Sequence, residues 1–232
     1  MKGVSLLLFQ KVISIVTLSA GLLEGSFSVA MPDKAVDGTI FLINRQHEIS
    51  EAYVPDIRKV NVYGMSQSMR DDAATALEEM FAVAKEEGVS IASVSGYRSY
   101  SKQGTIYARK KATTGSAQKA DMLVARAGTS EHQLGLAMDV AQKGSSQLNS
   151  GFGKTKAGQW VNANAHRFGF IVRYQEGYEE ITGYSFEPWH VRYVGKEHAQ
   201  AIFEANVPME IYVSAHRLRV YDYLIHVDEV LP

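Results

Sequence analysis

The sequence predicts an α+β fold, a small antiparallel sheet carrying helices on one side, and three observations lead there. A helical-period segment comes first, with Met69, Ala73, Ala76, Leu77, Met80 and Ala84 recurring at the spacing of one helix face. Short strand-like runs with intervening helices follow it, the order expected when helices and an antiparallel sheet segregate into layers. Residues 135–140, GLAMDV, then alternate in size. As a strand they place Gly135, Ala137 and Asp139 on one face and Leu136, Met138 and Val140 on the other. The 232 residues, 46% hydrophobic and 21% charged, suffice for one sizeable core.

Along the chain, Lys2 precedes the apolar run VISIVTLSAGLL at 12–23, and Ser28 and Ala30 stand where a signal peptidase needs small residues. Residues 1–30 are therefore expected to be a signal peptide. The alternative is an uncleaved membrane anchor reaching back to Leu6, but Gln10 and Lys11 leave that stretch short for a span. Residues 31–39 read as a polar connector, 40–213 as the folded domain, and 214–232 as an extension of unknown role. Ser68 ahead of Asp71 suggests a capped helix start, and Gly88 marks its end. Residues 89–94 form a short strand that delivers SGYRS at 95–99, and further helices are expected at 102–111 and 118–126. Residues 157–168 read as a helix stopped by Gly169, 170–174 as a strand, and 196–205 as a closing helix.

Charge and cysteine content remove several functions. A formal net charge of -1 provides no broad basic field for nucleic acid. Lys102 with Arg109, Lys110 and Lys111 is read as a solvated helix face. The absence of cysteine excludes disulfides, thiolate metal sites and a cysteine nucleophile together. A monomer is expected, touching a membrane only through a retained N-terminal segment.

The chemistry lies in His132, Asp139, His190 and Glu187. Two imidazoles and a carboxylate are the usual ligands of a catalytic zinc, three protein groups with a fourth position open for water, and Glu187 is the candidate general base. The surrounding words are more specific than the residue types. Residues 130–139, SEHQLGLAMD, fit S-x-H-x-x-G-x-A-x-D, residues 187–190 read EPWH, and residues 95–103 read SGYRSYSKQ. In that order they resemble the VanY-type D-alanyl-D-alanine carboxypeptidases, zinc peptidases that trim the stem peptides of bacterial cell wall. The resemblance runs from about residue 41 to 213 and includes LINRQHEISEAYVPDI, FGFIVRY and EITGYSFEPWHVRYVG.

The resemblance implies one zinc held by His132, Asp139 and His190, and the fold shared with the hedgehog signalling domain. It implies that Arg98 stabilises the oxyanion or grips the substrate carboxylate, and that Gln103 and Ser130 contact substrate. Ser95 and Trp189 are weaker candidates for the pocket wall. VPMEIYV at 207–213 looks like the ending of family members, leaving residues 214–232 extra, with Leu218, Tyr221, Leu224, Ile225 and Val227 free to pack as a helix or edge strand. The implied partner is the peptidoglycan stem peptide. An LD-carboxypeptidase, a DD-endopeptidase or dipeptidase, and a non-catalytic wall-binding module remain the alternatives.

Local chemistry sets the expected convergence. His132 reaches the metal from the loop before the 135–140 strand, with Gly135 letting the backbone bend. Pro188 cannot donate to a central ladder, so Glu187 is expected at a strand's edge or in the preceding loop. His190 follows on the strand with Trp189 on its other face. A buried, unpaired Asp139 would cost several kcal/mol, so it needs a metal or a cation. His47, His166, His198, His216 and His226 are read as surface or hydrogen-bonded core residues, and Tyr97, Tyr100 and Tyr174 as packing.

Overall fold

The computed structural model describes residues 38–217. The expected signal peptide, nearly all of the connector and residues 218–232, including Leu218, Tyr221, Leu224, Ile225 and Val227, lie outside the described residues.

A two-residue antiparallel pair, β1 (Arg58–Lys59) with β2 (Ser68–Met69), leads into helix α1 (Asp71–Glu86). Most of the apolar stripe read from the sequence is the buried face of α1, with Ala73, Ala76, Leu77, Met80 and Ala84 all inside; Met69, expected to belong to it, is buried in β2 instead. Ser68 is not its cap. Ser68 pairs with Lys59 in β2, and Arg70 occupies the cap position without a side-chain hydrogen bond. Asp71 and Asp72 in the first turn meet the positive end of the helix dipole instead.

β3 (Ile91–Ser95) is followed by α2 (Tyr100–Thr114), which starts two residues earlier than expected because the Ser99 hydroxyl accepts from the Lys102 amide. It ends at Gly115 in the left-handed conformation. α3 (Ala117–Asp121) stops well short of the expected residue 126. Tertiary bonds take the groups a longer helix would use. Arg126 folds back onto both oxygens of Asp121, at 2.9 and 2.7 Å, and the Ala125 carbonyl accepts from Gln103 Nε2 at 2.6 Å.

β4 (Ala137–Gln142), α4 (Lys156–Asn164), β5 (Phe170–Tyr174), α5 (Glu179–Thr182), β6 (Glu187–Tyr193) and α6 (Lys196–Ala205) complete the chain, with residues 209–217 helical again. The helix expected over 157–168 is divided: α4 ends at Asn164 and a 3-10 turn, Ala165–Phe168, runs into Gly169.

Four strands form one antiparallel sheet in the order β3-β4-β6-β5. On one face Met138, Val140, Phe170, Val172 and Val191 meet Leu77 and Met80 of α1 and Trp160 and Val161 of α4 in the main core. By alternation the other face carries Asp139, His190 and Arg192. At the β5 edge, Ile171 joins Leu42, Ile202, Met209, Tyr212 and Val213 in a smaller cluster that seats α6 and the segment after it.

Glu187 departs from expectation: it opens β6, which is an inner strand. Pro188 is tolerated there because the ladder is interrupted. Val172 pairs with Val191 and Tyr174 with Glu187, so residues 188–190 face Arg173 alone across a bulge. On the other side the β4 pairing ends at Asp139 with His190, and Pro188 is asked for no hydrogen bond. No helix among the described residues is long and apolar enough to cross a membrane.

Candidate active site

Sheet register brings the chemistry together. Asp139 of β4 pairs directly with His190 of β6, and Ser95 at the end of β3 pairs with Asp139 from the other side. His132 lies in the 3-10 turn Glu131–Leu134, which ends at Gly135 with φ +69°. That backbone turn brings the histidine over the start of β4. A Cβ at Gly135 would also lie 3.1 Å from the Ile57 side chain, so the position suits glycine twice over.

His132, Asp139 and His190 are all buried and form, among the described residues, a group able to hold a metal ion, with their ligand atoms within 4.8 Å of one another. His132 Nε2 lies 3.4 Å from Asp139 Oδ2, and His190 Nδ1 lies 3.1 Å from Asp139 Oδ1. Tetrahedral ligands at zinc-like bond lengths sit about 3.3 Å apart, so these separations match. Each imidazole is steered from behind. His132 Nδ1 donates to the Gly96 carbonyl at 2.7 Å, and His190 Nε2 lies 3.2 Å from Glu131 Oε2. Both partners are acceptors, so those nitrogens carry the hydrogens, and His132 Nε2 and His190 Nδ1 keep their lone pairs facing Asp139. His132 Nε2 is buried without a hydrogen-bond partner, as a metal-facing nitrogen would be. Gly96 must be glycine for this approach, since a Cβ there would lie 2.6 Å from the Ser68 carbonyl oxygen.

The electrostatics fit a cation. Burial and the Arg98 charge push His132 down to about 4, leaving it neutral. Burial would also lower His190, but Asp139 and Glu131 outweigh it and raise it to about 9. The two carboxylates thus favour positive charge at His190, and a dication bound at Nδ1 would supply it. Burial opposes the ionised form of Asp139, yet the two histidines hold its carboxyl well below the usual range.

Glu187 Oε2 stands 3.9 Å from His190 Nδ1. Burial pushes its carboxyl up to about 7; Asp139 adds to the rise while His190 and Arg98 oppose it. Arg98 is half-buried and donates its backbone amide to the His132 carbonyl at 3.2 Å. Its Nε is buried without a partner.

The remaining sequence candidates are placed differently. Ser95 is half-buried beside Asp139, and Ser130 is buried just ahead of the 3-10 turn. Gln103 is fully buried, its Nε2 engaged by Ala125 while Oε1 has no protein partner. Trp189 packs against the main core. Tyr174, read as packing, is buried with its ring 5.0 Å from that of His190. His47, His166 and His198 stand outside the ligand group, and His226 lies outside the described residues.

Sequence reasoning missed Glu131. It is fully buried and bonded to Arg173 and Arg192 as well as to His190. A signal existed: Arg173 in FIVRY and Arg192 in HVRY stand in apolar strands, where a guanidinium demands a buried carboxylate.

The family profile for VanY, D-alanyl-D-alanine carboxypeptidase, matches residues 66–196. A putative carboxypeptidase of Bacillus subtilis, YodJ, is 41% identical over 184 residues, 76% of this chain and 67% of the relative. A D-alanyl-D-alanine carboxypeptidase of Enterococcus faecalis is 35% identical over 189 residues, 77% of this chain and 67% of the relative. Among solved structures, the LdcB LD-carboxypeptidase superposes with a TM-score of 0.73 at 40% identity, covering 77% of this chain and 87% of that one. A variant of the D,D-pentapeptidase VanY from a VanB-type resistance cassette, in complex with Zn(II), gives 0.67 at 34%, covering 75% and 98%. VanYB in complex with D-alanine-D-alanine gives 0.68 at 35%, covering 76% and 97%. Sequence and fold agree at identities far above chance, and this chain therefore belongs to the VanY family of D-alanyl-D-alanine carboxypeptidases and is a metallocarboxypeptidase.

Proposed function

We propose that this protein is an exported, zinc-dependent D-alanyl-D-alanine carboxypeptidase that releases the terminal D-Ala from peptidoglycan stem pentapeptides. The observation that carries the reading is the buried convergence of His132, Asp139 and His190 with Glu187 3.9 Å from His190 Nδ1. In this reading residues 1–30 direct export, residues 40–213 are the catalytic domain, and the stem peptide is met outside the cytoplasm.

His132 Nε2, an Asp139 carboxylate oxygen and His190 Nδ1 would hold the zinc. Bound there, zinc supplies a Lewis acid that polarises the scissile carbonyl and makes a water acidic near neutral pH. Glu187 takes the proton from the attacking water and returns it to the leaving amine. A carboxyl raised to about 7 by burial is suited to both halves of that transfer. Arg98, with its unpartnered Nε, provides a guanidinium fork for the developing oxyanion or for the substrate's terminal carboxylate. Ser95, paired with Asp139, and Ser130, two residues before His132, would serve as polar contacts, and Gln103 Oε1 is an acceptor without a protein partner. Ala137, a small residue on the Asp139 face by strand alternation, leaves room beside the carboxylate.

A second reading, LD-carboxypeptidase action on tetrapeptide stems, is favoured by the 0.73 superposition on LdcB. The two differ in the chirality of the residue that supplies the scissile carbonyl. Incubation of the purified protein with defined muropeptides separates them. Free D-Ala from pentapeptide, leaving tetrapeptide, is expected; D-Ala from tetrapeptide with pentapeptide spared would move the protein to the LD class.

A further inference from the structure

The site face of β5 and β6 carries an ion cluster that the hydrolytic chemistry leaves unused. Glu131, Arg173 and Arg192 are all buried. Charges taken this far out of water are costly unless each is paired and fully hydrogen-bonded. Here the pairing is divided atom by atom. Glu131 Oε1 accepts from Arg173 Nε at 2.7 Å and from Arg192 Nη1 at 2.9 Å, which leaves Oε2 for His190 Nε2 at 3.2 Å. Arg192 Nη2 is held by the carbonyls of Thr39 and Phe41, each at 2.9 Å. Arg173 turns its two terminal nitrogens outward in a bidentate pair with Glu210, at 2.9 and 2.6 Å. Glu210 belongs to the 209–217 segment, which Met209, Tyr212 and Val213 seat around Ile171 of β5. Two carboxylates and two guanidiniums balance, and none is spare.

We infer that Glu131 is a positioning residue for His190 and that Glu210, through Arg173, is its remote support, so that the segment after α6 tunes the metal centre without touching it. The inference rests on His132, Asp139 and His190 being the metal ligands. Two guanidiniums on one oxygen fix the plane of the Glu131 carboxylate and aim the other oxygen at the imidazole. That fixes the ring with Nδ1 toward Asp139. If Glu210 loses its charge, Arg173 has only Glu131 left among its ion-pair partners, and its freed nitrogens compete with His190 for Oε2. Altering the hydrogen-bond partner behind a metal-bound histidine commonly changes metal affinity by about 10- to 100-fold.

The test uses the full chain as wild type, Glu131→Gln, Glu210→Gln and His190→Ala. Zinc affinity is measured by competition with a chromophoric chelator, and the cobalt(II)-loaded forms are compared by visible absorption. Glu131→Gln is expected to weaken zinc about 10- to 100-fold, and Glu210→Gln to weaken it by a smaller factor while shifting the cobalt bands. Should Glu131→Gln not fold, Glu210→Gln carries the test alone, since Glu210 sits at the outer end of the cluster with its side chain 13% exposed. Variants that lower the melting temperature yet bind zinc with wild-type affinity and an unchanged cobalt spectrum would overturn the inference and make the cluster purely structural. Wild-type protein that binds no zinc, or His190→Ala binding as tightly as wild type, would strike the ligand assignment instead.

Discussion

In the proposed reaction Glu187 and Arg98 carry the proton transfer and the charge stabilisation, and altering each should fail in its own way. Glu187→Gln keeps size and leaves His132, Asp139 and His190 untouched, so the metal should stay while turnover falls at least about 10²-fold, the lower end for loss of a general acid-base group. Steady-state kinetics alongside metal analysis checks this; near-normal turnover would make Glu187 structural. Arg98→Lys keeps the charge but loses the planar fork, and kcat/KM should fall at least about tenfold, the scale of a lost charged hydrogen bond. A fall in turnover assigns Arg98 to the oxyanion, a rise in KM assigns it to the substrate carboxylate, and no change in either removes it from the site. These residues were legible because each stands in a distinctive word: Arg98 in SGYRS, His132 and Asp139 in SEHQLGLAMD, Glu187 and His190 in EPWH. Glu131 sits in the same words and was passed over. Its role exists only once β5 and β6 bring Arg173 and Arg192 to it, which is a tertiary fact.

Elements were legible where period and packing agree. The stripe from Ala73 to Ala84 foretold the buried face of α1, though its first member, Met69, falls in β2, and the alternation in GLAMDV foretold that Asp139 and Ala137 share the face opposite Met138 and Val140. Leu77 is completely buried between α1 and the sheet, so Leu77→Ala should cost about 2–5 kcal/mol in denaturant unfolding, while the folded fraction keeps His132, Asp139 and His190 in place. A cost near zero would mean that this face of α1 is not packed on the core. Boundaries were less legible because tertiary bonds set them. The backbone of Ser68 is drawn into pairing with Lys59 and does not cap α1, and α3 is cut short where Arg126 and Ala125 are engaged elsewhere. Pro188 misled for a related reason. Its missing donor suggested an edge, yet the β5–β6 bulge accommodates it in an inner strand.

At the scale of the whole molecule, the sheet separates two tasks. The face toward α1 and α4 is apolar and holds the fold together, while the opposite face carries Asp139, His190 and the two arginines, with His132 and Glu131 brought to it from the 3-10 turn. Stability and metal binding should therefore be separable. Removing the metal leaves the core intact, so metal-free protein should keep its circular dichroism, and added zinc should raise the melting temperature by binding only the folded form. The α+β architecture was legible from the order of helices and strands, whereas the second, smaller cluster around Ile171 was not, since its members are scattered from Leu42 to Val213. The most direct test of a zinc-dependent hydrolase built on His132, Asp139 and His190 is elemental analysis of active protein before and after chelation. One zinc per chain is expected, with D-Ala release lost on chelation and restored by added zinc, from protein that stays folded throughout; active protein containing no bound transition metal would contradict the account.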